Sequence, residues 1–137
     1  MLFDQIKTSM KIVPILRVLD MKESVFFYTS ILDFELKYPD EGIDPWVTDL
    51  INGEAEIQLT SVEGNQRSGF AINVQVKQID NLFQRYLQRG LDTSKKLESP
   101  VHQGPLDQSW GTREFYVNDP NGNTLRFQEL TGTDIEA

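Results

Sequence analysis

Apolar residues recur along the chain with two different periods. Met21, Val25, Tyr28 and Leu32 fall at three-and-four spacing, with Phe27 and Ile31 widening the stripe, and predict a helix over 21–32. Asp20 stands at the N-cap position and Glu23 follows three residues later, as in a capping box. Ile79, Leu82, Phe83, Tyr86 and Leu87 repeat in the same way over 78–89, and Gly90 supplies a left-handed stop. Elsewhere the runs are short and alternating, which predicts strands. These cover 11–18 before the first helix, then 34–38, 46–51 and 54–61. The second set covers 70–76 before the second helix, then 96–101, 113–117 and 124–129. Asn52-Gly53 is a hairpin signal, and turn chemistry accounts for every residue of Asp119-Pro120-Asn121-Gly122-Asn123.

The order is β-α-β-β-β twice, an α+β arrangement of two βαβββ modules, 10–62 and 68–130, joined by the polar linker Val62–Ser68. At 137 residues the whole chain reads as a single domain, 1–137. Neither half has enough apolar surface to stand alone. The halves are expected to pair, by strand addition or by exchange between chains in a homodimer, with Pro14 marking where an exchanged strand would depart.

Composition narrows the chemistry. There are no cysteines, which removes thiolate metal sites and cysteine nucleophiles. His102 is the one histidine, so no site can take two histidines from one chain and no serine–histidine–acid order is supported. The net charge of −8 makes nucleic acid a poor partner and suits a cationic ligand better. No apolar run approaches the roughly 20 residues of a membrane span. Met1–Lys7 carries no basic region followed by an apolar stretch, so the expected location is the cytoplasm.

Val13-Pro14-Ile15-Leu16-Arg17-Val18-Leu19-Asp20, with Ser24, Phe27-Tyr28 and Leu32-Asp33-Phe34, resembles the opening of the vicinal-oxygen-chelate superfamily. That superfamily holds glyoxalase I, extradiol dioxygenases, fosfomycin-resistance enzymes and bleomycin-resistance proteins. Trp110-Gly111-Thr112-Arg113-Glu114-Phe115, followed by the Asp119–Asn123 turn, looks most like the bleomycin-resistance proteins. The resemblance implies curved, mixed, partly open sheets around a central cleft, and pockets at a subunit interface. It also implies metal-ligand positions on the first, fourth, fifth and eighth strands. Here those positions hold Val13, Gln58, Phe70 and Arg126: an aliphatic, an amide, an aromatic and a cation. A divalent ion needs oxygen or nitrogen donors and carboxylates to offset its charge. No metal and no cofactor are therefore expected. A one-residue shift in the fourth strand brings in Ile57 or Leu59, which would not help; a two-residue shift brings in Glu56, which could.

Individual residues carry two readings each. Trp110 either caps the core from the side or forms an exposed plate at a pocket mouth; the resemblance favours the plate. Trp46, beside Pro45, fits core, pocket wall or interface. Val13 and Phe70 fit core or pocket lining equally. Arg126 either faces solvent or turns inward, where it needs an acid such as Glu114 or an anionic ligand group, and a buried Glu114 needs a donor in turn. His102, in the Pro100–Pro105 loop, is either a solvated residue or an acid–base group at the rim. Tyr28 reads as a core aromatic.

The leading expectation is non-catalytic binding of a small molecule, with cationic glycopeptide antibiotics of the bleomycin type as the specific candidate. Its residues are Trp110, Phe70, Gln58, Arg126, Glu114, Trp46, Val13 and His102. The rivals are a glyoxalase- or dioxygenase-like enzyme with a displaced or absent metal site, using Glu114 or His102 if metal-free, and a structural or regulatory dimer.

Overall fold

The computed structural model describes residues 8–64 and 69–131; Met1–Lys7, read above for a leader, and linker positions 65–68 lie outside them. The first sheet has the order β1-β4-β3-β2, formed by β1 (Ile15–Arg17), β2 (Glu35–Leu36), β3 (Val47–Asn52) and β4 (Ala55–Thr60). The second repeats this plan as β5-β8-β7-β6, from β5 (Ala71–Gln75), β6 (Leu106–Asp107), β7 (Thr112–Asn118) and β8 (Thr124–Leu130). In each sheet one edge strand pairs in parallel and the rest antiparallel, so both are mixed, and neither closes. The first strand, expected over 11–18, begins only after Pro14, and β1 pairs with β4 of its own chain, Ile15 opposite Gln58.

Helices α1 (Met21–Ser30) and α2 (Ile79–Gln88) form where the apolar stripes predict them. Asp20 caps α1 by accepting from the Glu23 amide at 2.9 Å. Met21, Val25 and Tyr28 are buried, as are Ile79, Leu82, Phe83 and Tyr86, whereas Leu87 at the edge of its stripe is half exposed. Side chains of α1, α2 and the covered faces of both sheets fuse into one apolar core, with Phe115 stacked on Phe127 and Tyr86 edge-on to both. This leaves the opposite face of each sheet open.

The two halves are stitched by polar contacts, from the buried Tyr28–Asp119 bond to exposed ion pairs. The Tyr28 hydroxyl donates to Asp119 Oδ2 at 2.8 Å, and Asn123 donates to the Arg17 carbonyl at 3.0 Å. Asp33 receives both Arg85 and Arg89 from α2. The 119–123 turn therefore does more than reverse the chain.

One predicted strand is wrong. Residues 96–101 do not extend; Ser94–Lys96 make a short 3₁₀ turn and Pro100–Gln103 the one-turn helix α3. Pro100 at the first helical position has its φ already set for a helix, and Ser99 before it takes the extended N-cap conformation. The partner of β7 is instead the two-residue β6.

Candidate functional site

The turn ahead of β7 determines where Trp110 goes. Gln108 donates to the Thr112 carbonyl at 2.7 Å, and Gly111 closes the turn at φ +92°, a conformation a side chain would strain. The chain doubles back so that the Trp110 indole N–H reaches Glu114 Oε2 at 2.9 Å, while the ring remains 59% exposed. The core-capping reading is therefore excluded. Trp110 is a plate fixed at one edge.

Glu114 itself is fully buried and saturated with donors. Thr112, Trp110 and Gln128 donate to Oε2, and Tyr116 at 3.0 Å and Arg126 at 3.4 Å donate to Oε1. Period two explains the cluster: Thr112, Glu114 and Tyr116 share one face of β7, and the hairpin register sets Gln128 opposite Glu114 and Arg126 opposite Tyr116. Burial pushes the Glu114 carboxyl up, but hydrogen bonds from Thr112, Trp110 and Tyr116 and the Arg126 charge outweigh it. Its pKa lies below the usual glutamate value. Arg126 thus turns inward to Glu114, and its guanidinium stacks over the Tyr116 ring at 4.8 Å. Its buried Nε has no partner within the described residues.

The remaining candidates scatter. Gln58, on the open face of the first sheet, donates to Asp49 at 2.9 Å; Val13 lies half-buried just before β1. Phe70 precedes β5 and is 44% exposed, with its amide held by Asn123. Trp46 stands before β3 at 63% exposure, which excludes the core reading. His102 is on α3 rather than in a loop. Its Nε2 is 2.6 Å from Asn118 Oδ1, which can only accept, so Nε2 carries a hydrogen, and Nδ1 shares a hydrogen bond with the Ser99 hydroxyl at 2.8 Å. Among the described residues no hydrogen bond or ion pair joins Val13 or Gln58 to Phe70 or Arg126.

The residues at the four positions do not fit a divalent ion. Val13 and Phe70 have no lone pair, Arg126 is a cation, and Glu56 is already neutralised by Lys11 and Lys37, whose hydrogen bonds hold its pKa low. Among the described residues there is no group of three or more histidine or acidic side chains placed to hold a metal.

A family model described as the Glyoxalase/Bleomycin resistance protein/Dioxygenase superfamily matches residues 10–127. The chain belongs to this superfamily. Solved structures of glyoxalase/bleomycin resistance/dioxygenase superfamily type share its fold at low identity. A bleomycin resistance determinant encoded on the transposon Tn5 superposes with a TM-score of 0.70 at 18% identity, covering 89% of this chain and 98% of that one. A bleomycin-binding protein in complex with bleomycin gives 0.66 at 19%, covering 88% and 98%. A bleomycin-binding protein from bleomycin-producing Streptomyces verticillus, in complex with copper(II)-bleomycin, gives 0.63 at 23%, covering 93% and 99%. No curated protein matches the chain. Tyr116, Gln128 and Thr112, which complete the Glu114 cluster, escaped the sequence reading of this superfamily member. The turn length at 119–123 carried the signal, because pairing Asn118 with Thr124 fixes every partner farther along the hairpin.

Proposed function

We propose that this superfamily member binds a small molecule without transforming it, and that a cationic glycopeptide of the bleomycin type is the ligand. The observation that carries the reading is the exposed Trp110 indole anchored to the buried Glu114. A flat aromatic group gains most from stacking on a ring that is already immobilised, because less side-chain entropy is lost on binding. Arg126 and Tyr116 form the adjoining surface, and Gln128 borders it. The net charge of −8 favours the approach of a cation.

We further propose that the binding unit is a homodimer, in which the open face of the first sheet, with Val13, Ile15 and Gln58, faces the Trp110 side of a second copy. Ile15, Phe70 and Leu130 are exposed apolar residues on or beside these open faces, which a single chain leaves uncovered. Sedimentation should give twice the 15.7 kDa chain mass; a monomer at micromolar concentration contradicts the shared cleft.

A thermal-shift screen tests the ligand class, using bleomycin, a glutathione conjugate and divalent metals as separate arms. Bleomycin at a hundred times Kd should add about 2.7 kcal/mol of stability. A shift from a metal or the conjugate, with none from bleomycin, would turn the reading towards an enzyme.

A further inference from the structure

His102 stands apart from the other candidates because it lines a depression of about 360 Å³ where the two halves meet. Phe27 and Ile31, one turn apart on α1, form the floor together with Leu91 and Val117. Phe27, Ile31 and Leu91 pack against the core yet remain only partly covered. His102 and Tyr116, edge to face at 5.8 Å, make a wall. Neither His102 nitrogen is free, since Ser99 and Asn118 occupy them.

The rim carries Lys95, Lys96, Glu23 and Asp92. Its charges are not equally available. Asp92 accepts from the Ser94 hydroxyl and amide, which hold its pKa below the usual aspartate value. Glu23 lies in the first turn of α1, where the helix dipole favours a negative charge. Asp119 is buried and takes four donors. By contrast, neither lysine ammonium makes a salt bridge or donates a hydrogen bond to another described residue. Lys95 meets Asp92 only through its Coulombic field, which adds to the lowering of the Asp92 pKa, so among the described residues two adjacent cations stand beside the apolar floor with no salt bridge or side-chain hydrogen bond.

We propose that this junction is a second ligand site, sharing only Tyr116 with the Trp110 face, for a small amphiphilic monoanion: an apolar body bearing one carboxylate. Lys95 and Lys96 receive the carboxylate, and the body lies over Phe27, Ile31 and Leu91. Because both halves line the site, the ligand bridges them.

Octanoate is the probe, read by titration calorimetry on the full chain, with octylamine as the opposite-charge control. Octanoate should bind once per chain, and octylamine should not bind there. The double variant Lys95→Glu/Lys96→Glu should weaken octanoate by about tenfold or more, the loss of a charge-assisted contact, while leaving the response to bleomycin unchanged. Trp110→Ala should leave octanoate affinity as it was. Absence of octanoate binding, retained affinity in the double variant, equal binding of octylamine, or loss of octanoate binding in Trp110→Ala would each overturn the proposal. Bleomycin failing to bind while octanoate does would overturn only the Trp110-face reading.

Discussion

Glu114 is the residue on which the candidate binding face is built. A carboxylate without solvent access survives in ionised form only if donors replace its water, and five side chains do so here. Glu114→Ala leaves those donors without an acceptor and should cost about 2–4 kcal/mol in chemical denaturation. Glu114→Gln, which keeps the shape and one acceptor oxygen, should cost less. The folded-state pKa lies below the unfolded one, so this stabilisation is full above the unfolded value of about 4.3 and is lost as pH falls through the folded value. Trp110 fluorescence should change in that same acid window, because protonating Glu114 alters the acceptor of its indole N–H. An emission change centred well above the ordinary glutamate range contradicts the assignment.

At the scale of elements, the chain wrote some structures plainly and others not at all. The α1 stripe and Asp20 cap are local signals, and both helices formed where the 3.6-residue period placed them. The α2 start is different. Gln78 takes a left-handed φ of +56° and gives no cap; Glu129 on β8 accepts from the Gln78 and Ile79 amides at 2.8 and 3.1 Å instead. A cap from fifty residues away is invisible to a local pattern. Glu129→Ala should therefore destabilise the fold by about 1 kcal/mol, the cost of a lost N-cap, measured by urea unfolding. The segment 96–101 misled for a converse reason: its side chains fit a weak strand, but Ser99-Pro100 fixes a helical start. The Trp110–Glu114 contact required both the Gly111 turn and the strand's facing, so neither residue type alone disclosed it.

At the scale of the molecule, a repeated plan produced two sheets with one shared core. Polar groups buried between the halves specify how they dock. Burial raises the Tyr28 hydroxyl pKa well above its usual value, aided by the Asp119 charge, so it stays a donor throughout the stable pH range. Tyr28→Phe deletes a hydrogen bond to a buried carboxylate and should cost about 1.5–3 kcal/mol by denaturation midpoint. Val13 and Gln58 stand just before or on strands of the first sheet and Phe70 and Arg126 just before or on strands of the second, so the four positions are divided between two sheets.

Calorimetric titration of the chain with bleomycin, followed by mass analysis of the recovered ligand, tests the account most directly. Binding is expected, with the ligand's mass unchanged and with affinity in Trp110→Ala weakened by about 2 kcal/mol or more, as for an aromatic anchor. Equal affinity in Trp110→Ala, or a ligand recovered with altered mass, would contradict capture by this face.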